Sequence, residues 1–107
     1  MRDTRAQRRR VVITGMGVIT PNGCDLQPFW DSIIEGRSAG AMLERFDNGA
    51  MPVKIAAEIK SFDGRNFMPL KKAKRLDLST QYGIAAARLA FEDSKLNAAA
   101  MDADRIG

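Results

Sequence analysis

The sequence predicts an α/β fold in the order strand, helix, strand, helix. The observations behind it are a continuous β-branched run at 11–13, two segments with helical spacing of apolar residues, and an alternating segment at 53–60. The 107 residues, 45% hydrophobic and 28% charged, are typical of one ordered globular domain or part of one. Because this layout is not closed and a further strand is predicted to begin at Ile106, we expect an N-terminal portion of a larger fold, or a fold completed by another chain.

The first predicted strand is Val11–Ile13. A continuous β-branched run is typical of a strand buried on both faces of a sheet that helices cover. Glycines at 15, 17 and 23 and the proline at 21 then indicate a turn-rich connection.

The first helix is predicted to begin after Asp25, an N-cap residue, and to end before Gly36. We expect its apolar stripe to pack on the sheet that contains Val11–Ile13. The residues of the stripe, at helical spacing, are Leu26, Phe29, Trp30, Ile33 and Ile34.

Residues 37–52 contain glycines at 40 and 49 and a proline at 52, and we interpret them as an irregular connection. Apolar and other residues then alternate from Val53 to Lys60, which predicts a half-exposed strand. Phe62, Asp63 and Gly64 end that strand.

The second helix is predicted to start after Pro69 and to continue to about Leu96, with Asn97 as its C-cap. Small residues let backbones approach closely, so we expect its middle to be buried on more than one side. Those small residues are Gly83, Ala85, Ala86, Ala87 and Ala90. The basic first turns are too polar for burial and are expected to project from the body.

The residue inventory excludes several kinds of active site. The chain has no histidine and one cysteine, Cys24. It therefore has no Ser-His or Cys-His nucleophile pair, no imidazole metal ligand and no internal disulfide, and we expect no metal site. Cys24 lies at a predicted helix start, where the dipole favours a thiolate, but Asp25 opposes it and no second group assists. A bystander role is the favoured interpretation.

No apolar run approaches the ~20 residues that span a bilayer. The arginine-rich start and the apolar residues to Ile19 look superficially like a signal peptide, but Thr14 and two glycines interrupt the run and no A-x-A-like site follows. We interpret the chain as cytoplasmic, with no membrane partner.

The net charge of +4 comes mostly from two clusters, of which the first is the N-terminus. Residues 1–8 are predicted to be a flexible basic arm, with Arg9 and Arg10 behind it. No aromatic residue interleaves with these arginines, so a solvated arm is favoured over a nucleic-acid contact.

The second cluster is Lys71, Lys72, Lys74 and Arg75. Cations at the start of a helix oppose its dipole. Lys71, Lys74 and Arg75 fall at i, i+3 and i+4 and would project from one face of the predicted helix. Two interpretations stay open: a solvated turn, or a patch that binds an anion such as a phosphate or an acidic helix.

The Gly15-x-Gly17 turn after a predicted strand invites a dinucleotide interpretation. That motif needs a third glycine and a helix that opens directly from the loop. Thr20 stands in the third position, and Pro21, Asn22 and Gly23 delay the helix. Glycines that permit close strand packing and a sharp exit from the strand are therefore the favoured interpretation.

An ordered set of short motifs resembles the β-ketoacyl-acyl-carrier-protein synthases of the elongating type, over about residues 9–107. The longest is the opening from Arg9 to Gly23, RRVVITGMGVITPNG. The others follow in register: Phe29-Trp30, Gly36-Arg37-Ser38, Phe46-Asp47, Ile55-Ala56, Phe62-Asp63, Arg75-Leu76-Asp77, Gln81-Tyr82-Gly83, Ala90, Asp93-Ser94 and Arg105-Ile106-Gly107. The Phe-Asp, Gln-Tyr-Gly and Arg-Ile-Gly pieces are more similar to synthase II than to synthase I.

The resemblance implies a thiolase-like fold, in which residues 9–107 are the first part of the N-terminal βαβαβαββ half. It implies decarboxylative Claisen condensation of an acyl thioester with a malonyl-carrier protein, in fatty acid or type II polyketide elongation. The family's catalytic cysteine and two histidines lie beyond the matched stretch, and Cys24 does not match that cysteine. No catalytic residue is assigned, and we expect the 107 residues alone to be inactive.

The resemblance also implies docking residues. In similar synthases, basic residues at the stretch matched by Lys71, Lys74 and Arg75 meet the acidic helix of the acyl carrier protein and its phosphopantetheine phosphate. Leu70 departs from the pattern, because some relatives have another basic residue there. Substrates would arrive on phosphopantetheine without another cofactor, and the enzyme would be a homodimer or a ketosynthase heterodimer.

Three alternatives stay open. One is a catalytically silent partner subunit, such as a chain-length factor, which shares this opening. A second is a small stand-alone nucleotide-binding βα unit. The third is a small basic interaction module, which would fold cooperatively by itself, whereas a fragment would aggregate or stay molten.

Overall fold

The computed structural model describes residues 9–106, which contain three α-helices and two β-strands. Their order is α1 (Leu26–Ile34), β1 (Gly40–Met42), β2 (Ile55–Ala57), α2 (Leu70–Ala73) and α3 (Leu78–Ser94). Short 3₁₀ turns occupy Gly64–Asn66, Ala98–Ala100 and Ala103–Arg105. The arm predicted at 1–8, and Gly107, lie outside the described residues.

The predicted bounds of α1 are confirmed. The Asp25 carboxylate accepts a hydrogen bond from Leu26 N at 2.7 Å, and Gly36, just past the helix, has φ +67°. Only glycine adopts that left-handed conformation without a Cβ penalty. Asn22 fastens the helix from the preceding loop, since its Nδ2 donates to the buried Ser32 Oγ at 2.8 Å.

The prediction of a buried strand at Val11–Ile13 is wrong for the described part of the chain. These residues have no strand partner within 9–106, and Val11 and Ile13 are 94% and 83% exposed. A strand satisfies its backbone N–H and C=O groups only beside a neighbour. The α1 stripe does not pack there either, because Trp30 and Ile34 are exposed.

β1 and β2 form an antiparallel pair in which Gly40 faces Ala57 and Met42 faces Ile55. β2 confirms the middle of the strand predicted at 53–60. β1 corrects the interpretation of 37–52 as irregular. Gly40–Met42 was not predicted as a strand because its residues show no alternation of apolar and polar side chains.

Beyond the pair, Glu58 joins the two segments. Its carboxylate is largely covered and accepts hydrogen bonds from Glu44 N at 2.9 Å and Arg45 N at 3.0 Å. Ile55, by contrast, is 67% exposed. The face of β2 that carries the alternating apolar residues is therefore not the face that other described residues cover.

α2 and α3 replace the single long helix predicted from Pro69 to Leu96. α2 ends with Lys74 as its C-cap, and α3 begins behind Asp77, whose carboxylate accepts from Thr80 N at 3.0 Å. The Gln81 side chain occupies the break. Its Nε2 donates to Ala73 O at 2.9 Å and to Leu76 O at 3.0 Å, which satisfies both carbonyls without a continuous helix.

The C-terminal end of α3 also differs from the prediction. The helix stops at Ser94 because Lys95 adopts the left-handed conformation, with φ 55°. Asn97 is not its C-cap, since its side chain accepts from Ala99 N at 3.1 Å and begins the next 3₁₀ turn. Ile106 is extended but has no strand partner among residues 9–106.

Gly15 and Gly17 lie against the small-residue face of α3. A Cβ on Gly15 would overlap Ala90 O, and one on Gly17 would overlap Ala86 O. Between the two glycines, Met16 N donates to the Asp93 carboxylate at 2.9 Å. The predicted close packing at these glycines is confirmed, but its partner is α3, and residues 15–17 are not assigned to a strand.

The core of the described residues is small. Ala85 and Met68 are its buried apolar side chains, and the radius of gyration is 19.2 Å, against about 13 Å for a compact domain of this length. Within 9–106, no helix has both the length and the apolar content that crossing a bilayer requires.

Candidate functional site

Four cations lie together on α2 and the turn behind it, and we call Lys71, Lys72, Lys74 and Arg75 the basic segment. All four side chains are exposed. None forms an ion pair with a carboxylate of residues 9–106. The basic segment therefore presents concentrated positive charge to solvent, which suits an anionic partner.

The structure reverses the expected relation between these cations and the helix dipole. Lys71 and Lys72 lie in the last turn of α2, and Lys74 is its C-cap, where cations complement the partial negative charge of a helix. The chain stays coiled through Arg75, because Lys74 N donates to Leu70 O and Arg75 N donates to Lys72 O, both at 3.0 Å. Lys71, Lys74 and Arg75 are thus brought together by a short helix and its terminal turn.

Asp77 is the carboxylate that follows the basic segment in the chain. It accepts hydrogen bonds from Thr80 N at 3.0 Å and from Ser79 Oγ at 3.4 Å. Hydrogen bonds from Thr80 lower the pKa of the Asp77 carboxyl. Asp77 is therefore ionised at neutral pH and caps α3 without pairing with Arg75.

Two α3 side chains bond to the main chain of the stretch that contains the basic segment. Gln81 binds the carbonyls of Ala73 and Leu76, as described above, and Arg88 Nη1 donates to Phe67 O at 2.9 Å. Gln81 and Arg88 are seven residues apart, which places them on one face of the helix. Neither Gln81 nor Arg88 was assigned a role in this site from the sequence. The signal that could have indicated one for Gln81 was a polar glutamine within a run of small and apolar residues.

The candidate dinucleotide turn is not open to a phosphate at its glycines, because α3 occupies that side of Gly15 and Gly17. Thr20 and Gly23 then bond each other across a tight turn, with N–H···O distances of 2.9 and 3.1 Å. The loop therefore leads into a turn and reaches α1 only after it, without the direct entry into a helix that phosphate binding uses.

Cys24 is half-buried just before α1, with its Sγ 3.7 Å from Ser61 Oγ. The chain has no histidine to act as a base, and residues 9–106 contain no cluster of three or more Cys, Asp or Glu side chains that could hold a metal ion. The surroundings of Cys24 offer no assistance to a nucleophile.

Three cavities among the described residues lie away from the basic segment. One, of about 460 Å³, is mainly apolar, a second, of about 350 Å³, is charged, and a third, of about 290 Å³, lies beside Met101, Asp102 and Arg105. In the charged cavity the Lys60 ammonium lies 2.8 Å from the Glu44 carboxylate and lowers the pKa of Glu44. The apolar cavity is lined by Met16, Val18, Leu26, Gln27, Phe29 and Trp30.

Residues 8–107 match the family model described as "Beta-ketoacyl synthase, N-terminal domain". The 3-oxoacyl-[acyl-carrier-protein] synthase 2 of Synechocystis sp. is 38% identical over 101 residues, which is 94% of this chain and 24% of the relative. The synthase 2 of Vibrio cholerae is 40% identical over 100 residues, with the same coverage. The chain therefore spans about a quarter of the length of these curated relatives.

A solved structure, the ishigamide ketosynthase/chain length factor, superposes on 84% of this chain with a TM-score of 0.73 and 33% sequence identity. The match covers 22% of that structure's chain. Together with the family match, it confirms that the chain forms part of a thiolase-like fold. The similarity to synthase II is confirmed as well.

Proposed function

This chain belongs to the β-ketoacyl synthase family, whose N-terminal domain it matches, and from that membership we propose that the full-length product of its gene is a β-ketoacyl-acyl-carrier-protein synthase. The observation that carries the proposal is the identity of 38–40%, over 94% of the chain, to curated synthases 2. We refer to that product below as the full-length protein.

The proposed reaction joins an acyl group, held as a thioester on an enzyme cysteine, to a malonyl group held on the carrier protein. The malonyl group loses CO₂, the resulting carbanion attacks the acyl carbonyl carbon, and the cysteine thiolate leaves. Because residues 9–106 hold no cysteine–histidine pair, their contribution is scaffold and docking.

The docking surface in this proposal is formed by Lys71, Lys74 and Arg75. Their exposure, and the absence of a carboxylate partner for them within 9–106, leave three cations available to an acidic helix and to the phosphate of phosphopantetheine. The names of the curated relatives include the acyl carrier protein. Substrates delivered on its arm require no further cofactor.

We place the full-length protein in the cytoplasm, as a homodimer or as a heterodimer with a second ketosynthase subunit. The exposed apolar side chains of Val11, Ile13 and Trp30 support a need for further packing partners. Light scattering after size-exclusion chromatography distinguishes a dimer from a monomer.

A catalytically silent chain-length-factor subunit is the second candidate, because the name of the solved relative joins ketosynthase and chain length factor. A synthase requires a nucleophilic cysteine and two histidines elsewhere in the full-length protein. Their absence from its coding sequence would favour the silent subunit.

The test of docking measures the affinity of the full-length protein for holo-acyl carrier protein. Lys74→Glu and Arg75→Glu should each weaken binding about tenfold at low salt, and the difference should shrink at high salt. The matched control is Lys54→Glu, which reverses another exposed lysine. Equal losses at 54 and 74, or no loss at low salt, would reject the docking surface. Intact binding without condensation would reject the synthase.

A further inference from the structure

We propose that Gln81 is a positioning residue that holds the basic segment in the conformation that meets the carrier protein. The inference rests on the proposed docking function. The hold of Gln81 on the basic segment can nevertheless be measured without any carrier protein.

α2 is too short to be ordered by its own hydrogen bonds. It has four residues, and its N-cap, Pro69, offers no side-chain hydrogen bond. Isolated helices below about 12 residues are marginal in water, and adjacent lysines repel one another. The conformation of the basic segment must therefore come from contacts with the rest of the fold.

Gln81 supplies those contacts at the point where the charges lie. Its two Nε2 hydrogens bind Ala73 O and Leu76 O, so the two acceptors bracket Lys74 and Arg75. Gln81 is 9% exposed, and its hydrogen bonds are consequently sheltered from competition by water. Removal of the amide would leave two carbonyls to find other partners.

The amide of Gln81 lies close to Gly64. A Cβ on the buried Gly64 would overlap its Oε1, so the absence of a side chain at Gly64 leaves room for the amide in this position. The neighbouring Tyr82 meets the Phe62 ring edge-on, with centroids 4.8 Å apart. Gln81 is thus wedged between the Gly64 turn and the break that separates α2 from α3.

Arg88 complements Gln81 at the upstream end. Its Nη1 donates to Phe67 O at 2.9 Å, while its Nε lies 2.9 Å from the Glu92 carboxylate, which orients the guanidinium. The chain from Phe67 to Leu76 is therefore fastened at both ends to one face of α3. α3 therefore carries both of the contacts that set the orientation of the basic segment.

The experiment replaces Gln81 with methionine in the full-length protein, which preserves length and net charge and removes both donors. Hydrogen exchange should accelerate about tenfold at the amides of Ala73, Lys74 and Arg75 and stay unchanged from Ala86 to Ala90. If one tenth of molecules then hold the competent conformation, affinity for holo-acyl carrier protein falls about tenfold. The salt dependence of binding should persist, since no charge is lost, whereas Lys74→Glu reduces it. Gln27→Met, at an exposed glutamine, is the matched control and should alter neither measurement.

Unchanged hydrogen exchange at the amides of residues 73–75 in a folded Q81M protein would show that Gln81 does not hold the basic segment in place. Faster exchange with unchanged binding, where Lys74→Glu still weakens binding, would overturn the positioning role. Faster exchange with no effect of either variant on binding would support the hold and reject the docking function instead.

A second measurement covers the case in which the variant fails to fold. In the unsubstituted protein with ¹⁵N-labelled glutamine, the Gln81 Nε2 protons should exchange far more slowly than those of Gln27. Equally fast exchange at both side chains would overturn the proposal.

Discussion

The backbone of Gly17 lies directly against the carbonyl of Ala86 on α3. Gly15 meets Ala90 and Ser94 in the same way, one helical turn further along. Four residues of helix advance about 6 Å, which lies within the roughly 6.6 Å that two residues of chain can span. The two distances are therefore compatible with close contacts on alternate residues of the chain and on every fourth residue of the helix.

Gly17→Ala should destabilise the full-length protein by about 1–3 kcal/mol, because the new methyl group must displace the α3 backbone. The matched control is Gly83→Ala, since a Cβ at Gly83 meets nothing within 4 Å among the described residues. Alanine favours the helix there, so the control should stabilise by about 0.5–1 kcal/mol. Urea unfolding measures both. Equal changes for the two variants would contradict the close contact at Gly17.

Glu58→Ala should destabilise the fold by about 1–3 kcal/mol, because it leaves the N–H groups of Glu44 and Arg45 without their acceptor. Glu35→Ala is the comparison. It breaks an ion pair with Arg37 in which both side chains are about 60% exposed, and it should cost less than about 1 kcal/mol. Urea unfolding of both variants tests the ranking, and a larger loss at Glu35 would show that Glu58 does not fasten the two segments.

Asp77 should make stability depend on pH. Hydrogen bonds from Thr80 lower its pKa below the usual 3.8, so its contribution is full above the unfolded-state pKa and is lost as pH falls through the lower folded value. Asp77→Asn keeps a capping side chain and removes the titration. The stability advantage of the unsubstituted protein over D77N should therefore narrow between pH 7 and about pH 3 in urea unfolding. A constant difference across that range would contradict the assignment.

The bounds of α1 could be predicted from the sequence because interactions between neighbouring residues determine them. Asp25 and Gly36 set the bounds of α1 through a cap and a positive φ, and both act within two residues of the helix. The break before α3 depends partly on Gln81, which bonds carbonyls five and eight residues earlier, and that segment has no glycine or proline at the break. A continuous helix was therefore the natural prediction.

The basic residues of the candidate site were predicted to form an exposed cluster, but their position relative to the helices was not predicted. Lys71, Lys74 and Arg75 form the expected exposed cluster, yet they lie at the C-terminal end of a short helix and not at the start of a long one. β1 was not predicted because Gly40–Met42 gains its strand character from pairing with Ile55–Ala57, more than ten residues away. Non-local hydrogen bonds leave little trace in a one-dimensional pattern.

The contact of Gly15 and Gly17 with α3 has an evolutionary consequence. The two nearest atoms that would obstruct a side chain at either position belong to the main chain of the helix, and every amino acid carries those atoms. No second-site replacement on α3 can therefore make room, and a lineage that lost either glycine could recover only by reversion or by shifting the whole helix.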